Sequence, residues 1–213
     1  MKKVFSVLCA ILIASSMVVS VFATGAVSSP SLSPSLSPSL SPNLSPSLSP
    51  SPNFLAPKAS VAVVKDADGK ETGSFTGEQI AASVTLNTFG EEEIAKETKA
   101  LLEEAFTALK EGKEAIAKID PEYKGKEALN VMNISFSDEI AAVLEQGGSV
   151  EVKTDMKLDL EKGTKLPLIR YIDGEWVASP DEYAEIMEDG TVVLHVNQAG
   201  VFTLLLDPET EVL

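Results

Sequence analysis

Beyond residue 56 apolar and polar positions alternate in short runs, and in one long stretch the apolar ones recur every three to four residues. Val61 and Val63 alternate with Ala62 and Val64 ahead of Asp66-Ala67-Asp68-Gly69, which predicts a strand, a turn and a partner strand over 70–75. Residues 80–86 fit a helix or a strand, and Val84-Thr85-Leu86 favours strand. Ile94, Leu101, Leu102, Ala105 and Leu109 share one side of a predicted helix, with Glu92, Lys96, Lys99, Glu103 and Lys110 on the other. Thr88 followed by Glu91 fits a capping box, Glu91-Glu92-Glu93 suits the positive end of the helix dipole, and Gly112 suits the stop. A shorter helix over 113–119 has to end before Pro121.

The second half predicts strands over 129–136, 150–156, 166–172, 175–177, 191–197 and 201–206. Between the first two, Ser137-Asp138-Glu139 caps a short helix over 140–146, which Gly147-Gly148 stops. Asp173-Gly174 is the strongest hairpin signal, because a two-residue primed turn wants a glycine at positive φ. Residues 183–187 read either as a helix begun by Ser179-Pro180-Asp181-Glu182 or as a strand turning at Glu188-Asp189-Gly190. Strands come in runs without regular alternation with helices. The prediction is therefore a mainly β fold, an antiparallel β-sandwich with one inserted amphipathic helix.

One stretch resembles a known type of module. The order of strand 166–172, Asp173-Gly174-Glu175-Trp176, Asp189-Gly190-Thr191-Val192 and Gly200-Val201-Phe202-Thr203-Leu204-Leu205 is similar to the end of β-sandwich modules in secreted and surface proteins of Gram-positive bacteria. There a hairpin with a lone tryptophan precedes a glycine-led final strand. The resemblance covers about residues 131–207; it implies a fold and an extracellular setting, with no active site to carry over.

The N-terminal quarter has a different grammar. Met1-Lys2-Lys3 and the apolar run 4–22 form an export signal, and Val21-Phe22-Ala23 fits a cleavage site before Thr24. A lipoprotein signal is ruled out because Cys9 lies mid-segment behind bulky Leu8. The run is also long enough to span a bilayer as an uncleaved anchor. From Ser31 the tetrapeptide Ser-Leu-Ser-Pro repeats, with Asn43 as the one variation in its serines, as far as Ser51-Pro52. Proline every fourth residue removes amide donors and drives the residue before it to extended geometry, so neither helix nor ladder is expected to propagate. The segment is expected to be a disordered, semi-stiff spacer reaching about 70 Å. As a Ser-rich stalk it is also a candidate for O-glycosylation, and as a Pro-rich one for binding another domain. The predicted organisation is a signal peptide or uncleaved anchor over 1–23, a low-complexity spacer over 24–56 and a globular β-rich domain over 57–213.

Charge and cysteine content narrow the chemistry. The 213 residues carry 17 basic and 32 acidic side chains, and loss of Lys2 and Lys3 with the leader would shift the net charge from −15 to −17. That balance argues against nucleic acid as a partner, which requires a basic surface. Cys9, the sole cysteine, belongs to the leader, so a cleaved product would have no disulfide, thiol nucleophile or thiolate metal site.

Candidate sites are few. Asp66-Ala67-Asp68-Gly69 invites a calcium reading, but positions six and twelve counted from Asp66 hold Glu71 and Gly77 where a calcium loop needs glycine and an acid, so a plain turn is expected. His195, the only histidine, falls on the strand face opposite Val192, Leu194 and Val196 and is expected to be exposed. No catalytic residue, metal site or cofactor is assigned: nucleophile elbow, metal motif and phosphate loop are missing, and one tryptophan and three tyrosines furnish little for a glycosidase cleft. Tyr171 and Trp176 are the informative pair, since the Asp173-Gly174 turn sets them opposite each other on one side of the hairpin. They are either a core anchor or a ligand-binding platform for sugar or peptide. The resulting expectation is a non-enzymatic module at the cell surface or outside the cell, acting in surface structure, assembly or adhesion on a protein or glycan partner. Membrane contact would come only through an uncleaved N-terminal segment. A carbohydrate-binding module using Tyr171 and Trp176 is the alternative, followed by a small secreted hydrolase or inhibitor.

Overall fold

The computed structural model describes residues 56–109 and 112–213. The leader and the Ser/Leu/Pro spacer, with the cleavage and anchoring expectations attached to them, lie outside the described residues. Among the described residues no helix is long and apolar enough to cross a membrane.

Strands β1 (Ala59–Lys65) and β2 (Glu71–Thr76) form the first hairpin. Helix α1 (Glu78–Ser83) and strand β3 (Val84–Thr88) follow, so the ambiguous 80–86 segment divides into one of each. Next come α2 (Lys96–Ala108), α3 (Lys113–Ile119), β4 (Glu127–Ala128), β5 (Met132–Phe136) and α4 (Asp138–Glu145). The chain then runs through β6 (Ser149–Lys157), β7 (Lys165–Ile172), β8 (Glu175–Ile186), β9 (Thr191–Val196) and β10 (Gly200–Leu206).

The mainly β, antiparallel prediction holds, but the expected division into two sheets does not appear in the hydrogen bonding. One continuous ladder runs β2-β1-β6-β9-β8-β7-β10-β5-β3, with β4 paired to β10 beside this path. The sheet curls until β3, at its far end, comes alongside β1, and α1 packs against β1, β2 and β3 at this closure. The concave side holds the larger core, including Ala62, Val152, Leu168, Leu194, Phe202 and, from α1 and α4, Ile80 and Ile140. A second core lies outside the curl, where Leu102, Ala105, Leu109 and Ile116 of the α2 and α3 region cover Val131, Ile169, Val201 and Leu205. Strand β10 is buried on both faces, which explains its unbroken Val201-Phe202-Thr203-Leu204-Leu205-Leu206 run.

Several boundaries differ from the sequence reading for identifiable reasons. Of the four α-helices, α2, α3 and α4 answer to predicted helices and α1 to the ambiguous 80–86 segment, so the sheet carries more helix than the one inserted amphipathic helix of the expected fold class. The carboxylate of Glu91 accepts the Thr88 amide, so half of the capping box is made, yet Thr88 ends β3 and α2 starts only at Lys96. Of the predicted 129–136 strand only Met132–Phe136 forms, as β5; β4 lies just ahead of the predicted bounds and also pairs with β10, and between the two the Asn130 side chain takes the Val131 amide. The 175–177 and 183–187 segments belong to one strand, β8, interrupted where residues 179–182 stand opposite Leu168 alone. Pro180 has no amide to donate, and the strand bulges there.

Candidate functional site

The Asp173-Gly174 turn forms as predicted, with φ 51° at Asp173 and 88° at Gly174, the left-handed geometry that favours glycine. It pairs Ile172 with Glu175 and Tyr171 with Trp176, whose rings meet at 5.4 Å and a 53° tilt. Both rings are half-buried in the outer core, under α2. The last turn of α2 tightens, with the Leu109 amide donating to Phe106, and the Ala105 carbonyl accepts Trp176 Nε1 at 3.0 Å. Tyr171 donates its hydroxyl to Glu104 at 3.0 Å; burial first, then that hydrogen bond and the Glu104 charge, raise the Tyr171 pKa. The pair expected to be either a core anchor or a ligand platform is thus brought together, half-buried and covered by α2.

A second cluster lies on the outer face of the other half of the sheet. Val63, Glu151, His195, Tyr183 and Pro167 stand directly opposite one another across β1, β6, β9, β8 and β7. His195 differs from its expected exposure: its side chain is 19% accessible, stacked on Tyr183 at 4.4 Å, with Nδ1 and Nε2 each 3.4 Å from Glu151 and Glu185. Lys65 pairs with Glu151, and Lys165 Nζ stands 4.1 Å from the centroid of the Tyr183 ring. Burial lowers the His195 pKa, the charges of Glu151 and Glu185 oppose this, and Lys65 and Lys165 reinforce it. Strand alternation gave the face of His195, but the neighbours that bury it come from strands distant in sequence.

A third cluster had no sequence signal. Arg170 and Glu182 are almost wholly buried and joined by two hydrogen bonds, Nε to Oε2 and Nη2 to Oε1 at 2.8 Å. Ser179 Oγ and the Asn197 amide also donate to Glu182, while Arg170 donates to the Gln198 and Ala199 carbonyls. Gly200, at φ 127°, leaves room for this guanidinium: a Cβ there would sit 3.3 Å from Arg170 Nη1. Burial raises the Glu182 pKa, but Arg170, Ser179 and the Asn197 amide outweigh it and hold the carboxyl below its ordinary value. With both Glu182 oxygens and all three Arg170 guanidinium nitrogens hydrogen-bonded, this cluster fixes the β8 bulge against the 197–200 loop.

The Asp66 carboxylate accepts the amides of Asp68 and Lys70, as a plain turn requires. Among the described residues no group of three or more His, Cys, Asp or Glu is arranged to hold a metal ion. A shallow cavity of about 130 Å³ lies between the 89–94 segment and α2, well under the ~300 Å³ at which ligand pockets begin. Comparison of the chain with family models, curated proteins and solved structures found no match.

Proposed function

We propose that this chain is an exported, non-enzymatic β module displayed on its Ser/Pro spacer, and that it acts in surface structure, assembly or adhesion. A curled sheet folded over its core in the manner of a sandwich is the scaffold of this reading. The observation that carries it is the face described around His195. Helices α2 and α3 pack over β5, β7, β8 and β10, and α1 and α4 contribute to the concave core, whereas Lys65, Glu151, Lys153, Tyr183, Glu185 and His195 present partly accessible polar groups across four strands. A broad, rigid, polar sheet face suits contact with a surface partner, since phosphates, sugars or peptide groups can be met without ordering a loop.

The test is retention of the exported protein on envelope fragments of the producing cell. Replacing Glu151, Tyr183 and His195 together by Ala should lower retention at least tenfold while circular dichroism shows the sheet still folded at the assay temperature. Undiminished retention would reject this face. Glycan addition that quenches and red-shifts Trp176 emission would favour the Tyr171/Trp176 carbohydrate reading instead, because α2 would have to yield the rings.

A further inference from the structure

The repeat tract and the free edge of the sheet fit each other. Among the described residues β2 pairs with β1 alone, so its other edge ends the ladder. Past Glu71 it reads Thr72-Gly73-Ser74-Phe75-Thr76, with neither the charges nor the proline that usually blunt an edge strand. Which groups this edge offers follows from the hairpin. The Asp66 amide donates to Lys70 and the Val64 carbonyl accepts Thr72 Oγ1, so the backbone of Val64 and, by alternation, of Ala62 points to β2. Their partners Gly73 and Phe75 point back, which leaves the amides and carbonyls of Ser74 and Thr76 facing outward. Phe75 belongs to the concave side, where it packs half-buried at the margin of the core.

An antiparallel strand added here is constrained in three ways. Residues opposite Ser74 and Thr76 need free amides and put their side chains on the outer face beside those hydroxyls. Alternate residues turn to the concave side, beside Phe75, and should be apolar. The strand should bring no negative charge to a molecule at −15. The tract over residues 31–52 meets all three. Its prolines, Pro34, Pro38, Pro42, Pro46, Pro50 and Pro52, are all at even positions, as are its five leucines, while every odd position is Ser or Asn. Proline therefore blocks only one edge of the tract. The serine edge keeps every donor, and Leu and Pro share the face that would meet Phe75.

We propose that the Ser-Leu-Ser-Pro tract of one copy adds to the β2 edge of a second copy as an antiparallel strand, linking copies head to tail. This deepens the assembly reading but does not rest on the His195 face. An antiparallel strand on β2 runs in the direction of β1 and finishes at the Glu71 end, so the last repeat of the same chain would have to double back along the hairpin within residues 53–58 to enter β1 at Ala59, which favours a tract from another copy. β2 is six residues long and would take up only part of the tract, so the remaining repeats would span more than the ~8 Å Debye length at physiological salt and join acidic domains while holding them apart. Prolines on the outer edge of the added strand stop further lateral growth.

Hydrogen exchange on the full exported protein tests this. As concentration rises, the Ser74 and Thr76 amides should slow at least tenfold, with a parallel rise in mass by light scattering, while Gly73 and Phe75 stay protected at all concentrations. The variant S33P/S37P/S41P/S45P/S49P places proline on the serine edge and should abolish both effects. The variant L32P/L36P/L40P/L44P/L48P adds as many prolines to the other edge and should keep them. Equal behaviour of the two variants, fast exchange at every concentration, or protection independent of concentration would each overturn the proposal. Loss of envelope retention on changing the His195 face, with this exchange pattern intact, would separate the two readings.

Discussion

Glu182 lies where an interrupted ladder turns it inward: Pro180 cannot donate, residues 179–182 bulge, and the carboxylate meets Arg170 inside the curl. Breaking a buried pair strands the remaining charge, so Glu182→Gln should cost about 3–5 kcal/mol in urea denaturation, whereas the volume-matched R170M/E182L should recover much of that loss. A cost under 1 kcal/mol for the single variant would show that the pair holds little. Because the folded-state pKa of Glu182 lies below its ordinary 4.5, its stabilisation is present above that value and is lost as pH falls through the folded-state value. His195 also has a lowered folded-state pKa, so the unfolded chain takes up its proton first. Its contribution is complete above the ordinary 6.5 and declines as pH falls through the folded-state value. NMR titration should place His195 below 6.5 and lower still in Glu151→Gln, which removes a charge favouring the imidazolium; a value above 6.5 would contradict the assignment.

At the scale of elements, α2 and the β7–β8 hairpin hold each other. The helix has no side-chain cap at its N-terminus, and it lies over Tyr171 and Trp176 through its apolar face and the Ala105 carbonyl. Trp176→Ala should therefore cost about 3–5 kcal/mol by removing a large packed ring. Trp176→Phe, which keeps most of the ring but loses the indole donor, should cost about 1 kcal/mol and speed exchange in the last turn of α2. Equal exchange in Trp176→Phe and the parent would mean that the hydrogen bond does not hold the helix. The same packing explains why the Thr88–Glu91 signal misplaced the helix start: Phe89 instead stacks on Phe106 at 4.0 Å, a tertiary contact that keeps the 89–95 segment out of the helix.

Across the whole described domain, β7 and β10 belong to both cores: Leu168, Phe202 and Leu204 face the concave side, and Ile169, Val201 and Leu205 the helices. Neither layer can be lost without exposing the other, so the domain should unfold in one transition. Trp176 fluorescence, which reports the outer core, and far-ultraviolet circular dichroism, which reports the sheet, should share a denaturation midpoint. Separate midpoints would mean that the helices detach first. Intact mass of the exported protein should begin at Thr24 if the leader is cleaved as its motif predicts, and a retained Met1 would assign the apolar run to anchoring.

Local chemistry was enough to set what neighbours in the chain decide. The Asp173-Gly174 turn fixed the register that opposes Tyr171 and Trp176, and hydrophobic periodicity gave most strands, α3, α4 and the body of α2. The core face of β9 was likewise legible, because alternation put Val192, Leu194 and Val196 on one side and all three are buried. Tertiary structure decided whatever depends on strands distant in sequence. Arg170 carried no signal of its own and Glu182 only that of a possible helix start until the bulge turned them together, and His195 looked exposed until Glu151, Glu185 and Tyr183 closed around it. The choice between two sheets and one also lay there: alternation says that a strand has a buried face, but only pairing across the curl says which strand lies beside it.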